Sequence, residues 1–323
     1  MLEKLDIKDK KLIYDLDFNA RMPLTQLARK IGVSKQVAKY RLESLQKKNI
    51  IQGFYADINS SKLGFEIYLV YFKFQNFNLK IEGEFINYIS KNNFVGVNVS
   101  INGKWDFCVG IWAKNVVDFK KKYEKIMQKY EKYVKEKIVM IETGFYYFKP
   151  RRVLDKKDNS QIKMDEEISN YELDKIDKKI LTELSNNCRI SLVDLSGKIG
   201  LTPNGINQRI KILEKRGVIL GYRVMINYSL LGFLHYRVFL HLEDLTSETK
   251  KKLIVFLGNM KEIISITETI GYCDFEFRAI FESIQEFYTL IGKINGEFPN
   301  IIKNYDSIIY HKFHQTLNYF PFD

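Results

Sequence analysis

Two short stretches of this 323-residue chain carry the side chains whose chemistry is easiest to assign. The first holds Lys35, Gln36, Lys39, Tyr40 and Arg41; the second holds Asn204, Asn207, Gln208 and Arg209. Amide side chains can make paired hydrogen bonds to the edge of adenine, and lysine suits guanine or a phosphate oxygen. Arg41 and Arg209 occupy equivalent places and could anchor either a phosphate or a neighbouring helix. Residues 21–50 contain eight basic side chains and one acid, and residues 189–218 contain six and two. Local positive charge of this kind attracts a polyanion, double-stranded DNA in particular. Rival chemistries have less to work with. The four histidines, His235, His241, His311 and His314, all lie in the second half. His311 and His314 would face opposite sides of a strand, which is poor geometry for a shared metal. Cys108, Cys188 and Cys273 lack C-x-x-C spacing, so no zinc site, disulfide framework or oxidising compartment is indicated, and a cytoplasmic protein is expected. No Walker loop, G-x-S-x-G, H-E-x-x-H or dinucleotide glycine motif occurs, so no catalytic residue, metal or cofactor is assigned and an enzyme is not expected.

Those polar residues need elements to position them. Asp6 can cap a first helix that buries Leu12, Ile13 and Leu16. Leu24, Leu27, Ala28 and Ile31 form the i, i+3, i+4, i+7 stripe of a second helix, repeated by Leu192, Leu195 and Ile199 behind a Ser191 cap. Gly32 and Gly200 can end these helices in the left-handed conformation that a tight reversal requires. Ser34 and Thr202 then open a third helix, with Pro203 in its first turn. Ala38, Leu42 and Leu45, like Ile206, Ile210 and Leu213, turn inward, which leaves the polar residues above on the free face. Helix, glycine-containing turn and helix make a helix-turn-helix. The β-prone runs at residues 50–54 and 218–222 can add a wing or hinge strand.

The two heads belong to a longer repeat. Shifting the chain by 168 aligns Leu5–Phe65 with Leu173–Phe233 without a gap, with more than one position in three identical. The same register matches Gly103-Lys104-Trp105-Asp106-Phe107 with Gly271-Tyr272-Cys273-Asp274-Phe275. Each copy is long enough to be a complete module. After each head the pattern becomes β-α-β-β-α-β, the ferredoxin-like order. The expected fold is therefore α+β, with domains at 1–64 and 65–148, a polar linker at 149–171, and domains at 172–232 and 233–323. Residues 1–160 carry 31 basic against 18 acidic side chains, whereas residues 161–323 carry 20 against 21. The basic excess thus lies in the first half, although the second head stays locally positive. The longest apolar runs are too short to span a bilayer, and Met1–Asp6 lacks a signal-peptide pattern, so no membrane partner is expected.

The series Leu173-Asp174, Asp177, Ile180-Leu181, Leu184, Asn187, Arg189-Ile190, Leu195, Ile199-Gly200-Leu201-Thr202, Ile206, Arg209-Ile210, Leu213-Glu214 and Gly217-Val218-Ile219-Leu220-Gly221-Tyr222 resembles the head of the Lrp/AsnC, or feast/famine, regulators of bacteria and archaea. In the first copy Asn49 replaces the glycine and Pro23 replaces Ser191. The resemblance extends to the second part of each copy, and the whole looks like a tandem duplication of the archaeal type. It implies a sequence-specific, DNA-binding transcription regulator with winged heads whose sheet modules pair within one chain as a pseudo-dimer, with homo-oligomers beyond that. It also implies a small-molecule effector such as an amino acid, held by the turns containing Gly103, Trp105, Asp106, Gly271, Cys273 and Asp274. The two aspartates could instead tie their own turns. The rival with similar architecture is siroheme decarboxylase, a tetrapyrrole enzyme, but its arginine-rich signature is not found after either head.

Overall fold

Most of the helices begin where a side chain can accept a backbone N–H that would otherwise lack a partner. In the computed structural model, which describes residues 3–164, 171–243 and 246–315, the first head opens with α1 (Ile7–Leu16) behind Asp6, whose carboxylate accepts from Asp9 N at 2.8 Å. Next, α2 (Leu24–Ile31) follows Pro23, which offers no side-chain cap, and ends at Gly32 with φ 68°. Behind Ser34 lies α3 (Lys35–Lys47). Asn49 then takes φ 58°, close to the 67° of its counterpart Gly217, so the amide residue does adopt the glycine's backbone. The wing expected here is strand β1 (Ile51–Ile58).

The first sheet module runs β2 (Glu66–Phe74), α4 (Leu79–Ser90), β3 (Val95–Gly103), β4 (Phe107–Ala113), α5 (Val116–Tyr130) and β5 (Val134–Phe148). The connecting segment holds a short helix α6 (Arg151–Leu154) and strand β6 (Gln161–Met164). The second head contains α7 (Lys175–Asn186), α8 (Leu192–Ile199), α9 (Pro203–Lys215) and β7 (Ile219–Ile226). Its sheet module runs β8 (Leu234–Leu242), α10 (Ser247–Asn259), β9 (Ile263–Gly271), β10 (Phe275–Phe281), α11 (Ile284–Glu297) and β11 (Ile302–Gln315).

The connector is more than a polar tether. Arg151 is 1% exposed and donates to the carbonyls of Gly258, Met260 and Ile263 at 2.5, 2.7 and 3.2 Å, while β6 pairs with the end of β5. A buried guanidinium whose Nη groups donate to carbonyls reads as surface charge in a sequence. Residues 165–170, also within the expected linker, lie outside the described residues.

Each module has the antiparallel order β5-β2-β4-β3 or β11-β8-β10-β9, and the long last strands close the two sheets on each other. The first half of β5 pairs with β2 and its second half with β9; β11 pairs likewise with β8 and then β3. The result is a ring of eight strands with helices outside. Alternation along each strand splits the core. Tyr68, Val70 and Phe72 pack under α4 and α5, and Tyr236, Val238 and Leu240 under α10 and α11. The other face points into the ring and merges with the core of the heads.

Candidate nucleic-acid interface

The third helix of each head keeps one face inward and the other free. Ala38, Leu42 and Leu45 are buried in α3, and Ile206, Ile210 and Leu213 in α9. Lys35, Gln36 and Lys39 are exposed, Tyr40 is 72% exposed, Asn204 and Gln208 are exposed, and Asn207 is half-buried. Lys39 approaches Glu43 at 3.7 Å, a solvated pair that contributes little. At Gly205 in α9 an added Cβ would meet the Leu201 side chain at 3.1 Å, a close approach within the head.

Of the two roles open to Arg41 and Arg209, a phosphate or a neighbouring helix, the structure shows the helix contact. Arg41 Nη1 donates to Asp6 at 2.7 Å and to Asp9 at 2.8 Å, and Arg209 Nη1 repeats both distances with Asp174 and Asp177. The aspartates are also the first turns of α1 and α7, so each arginine locks the third helix to the first. Backbone N–H donors of the first turn, and then the arginines, hold the Asp6 and Asp174 carboxyls below the usual range.

The heads are joined by reciprocal bonds. Strands β1 and β7 form a two-stranded antiparallel ribbon in which Tyr55 pairs with Arg223, its own counterpart at a shift of 168. A pseudo-two-fold axis must pass there. Around it Ala20 N donates to Tyr222 O and Cys188 N to Phe54 O, while Arg21 donates to Cys188 O and Arg189 to Ala20 O. One ionic contact breaks the symmetry. Arg223 is 1% exposed and grips Asp17 through two bonds of 2.6 and 2.8 Å, but the equivalent positions are Tyr55 and Ser185. Sequence reading missed this pair because each partner looks ordinary within its own copy.

The paired turns lie at the seams of the ring. Gly103 (φ 135°) and Gly271 (φ 121°) let the backbone pass close to the other module, where a Cβ would meet Ser307 O at 3.0 Å and Val139 O at 2.6 Å. Trp105 and Cys273 are buried. Asp106 accepts from Phe74 N at 2.8 Å and pairs with Lys73; Asp274 accepts from Leu242 N at 2.7 Å. The aspartates therefore pin their turns to β2 and β8. Across the axis Lys104 Nζ meets the hydroxyl of its counterpart Tyr272 at 2.6 Å. The two apolar cavities described next are lined by none of the six turn residues expected to hold an effector.

Those cavities lie between the ribbon and the ring. One of about 330 Å³ is lined by Tyr55, Ile58, Phe65, Trp112 and neighbours. The other, of about 100 Å³, reaches Val224, His235, Arg237, Arg278 and Tyr310. Tyr55, Ile67, Glu142, Phe145 and Tyr147 line both. Inside the ring Arg237 donates to Glu276 through Nε (2.5 Å) and Nη2, to Tyr310 at 3.2 Å and to Glu142 at 3.4 Å. Burial, then the charge of Glu276, pushes the Glu142 carboxyl up to about 7. No helix among the described residues is long and apolar enough to cross a membrane.

The winged helix-turn-helix DNA-binding family model matches residues 5–52 and again 173–219. Over 127 residues the chain is 36% identical to an HTH-type transcriptional regulator of Pyrococcus furiosus, covering 39% of this chain and 82% of that protein. It is 51% identical over 73 residues to the leucine-responsive regulatory protein of Haemophilus influenzae, covering 23% of this chain and 44% of the other. The fold of the siroheme decarboxylase NirDL is similar along 96% of this chain and 93% of its own, with a TM-score of 0.62 and 12% identity, a likeness of architecture.

Proposed function

The chain belongs to the Lrp/AsnC family of helix-turn-helix transcriptional regulators, and from that premise we propose that it reads double-stranded DNA with two unlike heads in one pseudo-dimer. The observation that carries this reading is the free, polar face of α3 and α9 on heads of local positive charge. The amino-terminal half of such a helix enters the major groove. In the first head Lys35 and Lys39 suit phosphate or guanine, with Gln36 and Tyr40 beside them. In the second, Asn204, Asn207 and Gln208 suit adenine. A homodimer must present identical heads, whereas the fused copies need not, so the preferred operator is not a true palindrome. Selection of sites from random duplexes tests this: two dissimilar half-sites are expected, and two equivalent inverted half-sites would overturn it. Affinity should also fall steeply with salt.

The regulator acts without catalysis in this proposal, responds to a small-molecule effector such as an amino acid, and assembles into homo-oligomers. The tetrapyrrole-enzyme reading has behind it the architecture shared with NirDL. A purified protein with a porphyrin absorption band would favour it.

A further inference from the structure

We propose that the chamber under the inter-head ribbon is a binding site for a small organic monocarboxylate with an apolar body. Arg278 supplies the anchor. Among the described residues its hydrogen bond runs from Nε to Ser265 Oγ (2.6 Å), and neither Nη atom donates to a described group. Its neighbours are the rings of Phe145 and Tyr147, with centroids 5.7 and 5.2 Å away, and no described carboxylate forms an ion pair with it. Arg237, by contrast, is already matched by Glu276. A guanidinium lying over two rings, with both Nη groups uncommitted among the described residues, can take a carboxylate in the two-pronged geometry that matches its fork.

A second group points into the same space. His235 is 8% exposed, and its Nε2 is buried without a partner. Burial, with Arg278 and Arg237 close by, keeps this imidazole neutral by lowering its pKa well below the usual value. Its orphan nitrogen would therefore bond to an occupant of the cavity. The anchor lies in the smaller cavity, and the larger one continues past Glu142 toward Ile58, Phe65 and Trp112, a space suited to an aliphatic or aromatic body. The two cavities lie on opposite sides of the axis and differ in size: Ser60 lines the larger one, and its bulkier counterpart Tyr228 lines the smaller one. Strands β1 and β7 form the chamber's roof, so occupancy would deepen the regulatory reading; binding itself does not depend on that reading.

Calorimetry on the full chain without DNA tests the site, using 3-phenylpropionate, its primary amide and inorganic phosphate as probes. The acid should bind about tenfold or more tightly than the amide, and phosphate should not displace it. Arg278→Met should weaken the acid about tenfold or more and leave the amide unchanged. Ser60→Tyr, which copies the second-half residue, should block both organic probes while the anchor stays in place. Equal binding of acid and amide, displacement by phosphate, acid affinity unchanged in both variants, or no binding to the unaltered chain would each overturn the proposal. The assay contains no DNA, so its failure is separate from a failed operator selection.

Discussion

The inner faces of the two sheet modules are the same surface built with opposite chemistry. Ile67, Leu69, Val97, Cys108 and Gly110 face into the ring from the first copy; His235, Arg237, Ser265, Glu276 and Arg278 take those places in the second. Two identical chains around a two-fold axis would have to present one of these sets twice and could not combine them. Fusion removes that constraint. One copy became the apolar wall and the other the polar wall of a single asymmetric interior. The heads diverged more mildly, because each still uses the same caps and the same arginine fastener and differs mainly on its free face.

The largest expected effect comes from making the polar wall imitate the apolar one by halves. Arg237→Leu should destabilise by about 3–5 kcal/mol, since it leaves Glu276 buried without its partner. Adding Glu276→Cys completes the first copy's pair and should recover most of the loss in urea unfolding. If the double variant is no more stable than the single one, stranded charge is not what separates the two faces. At the ribbon, Asp17→Ser should cost about 3 kcal/mol by taking both hydrogen-bonded oxygens from buried Arg223 and leaving it only the longer 4.0 Å pair with Asp57, whereas Ser185→Ala at the equivalent position should stay within about 0.5 kcal/mol.

The comparison of heads can be sharpened by DNA binding. Asn204→Ala and Gln208→Ala, which remove the amides, should each weaken operator binding by about 1–3 kcal/mol and relax preference at the base that the amide reads. Lys35→Ala and Lys39→Ala should each lower the salt slope by about 1 and leave sequence preference in place. If the lysine variants alter preference and the amide variants alter only the slope, the assigned roles are reversed.

The smallest effect is in acid. The Asp6 and Asp174 carboxyls have lowered pKa values in the fold, so their contribution is present at neutral pH. It disappears as pH falls through those lowered values, below 3.8. Both groups are solvent-screened, so Asp6→Asn and Asp174→Asn should each remove about 0.5 kcal/mol at most, and to the same extent. Unequal acid limbs would show that the two fasteners are not equivalent.

Much of the fold is decided within a few neighbouring residues. The stripe from Leu24 to Ile31, the caps at Asp6, Ser34 and Thr202 and the turn at Gly32 are short-range signals, and the second copy repeats them. Strand and helix order in both modules followed from alternation and helical period in the same way, as did the exposure of Lys35, Lys39, Asn204 and Gln208. The buried roles were not legible. In the sequence Arg41 could hold a phosphate or a helix until Asp6 and Asp9 are brought beside it, and Arg151 looks like linker charge until backbone carbonyls of the second module accept from it. Ring closure by β5 and β11, the Asp17–Arg223 pair and the chamber around Arg278 join residues from different copies. Periodicity and capping are properties of local backbone geometry, which a sequence carries directly. Whether a distant charge is buried, matched or left open depends on distances through space, and only the assembled chain sets those.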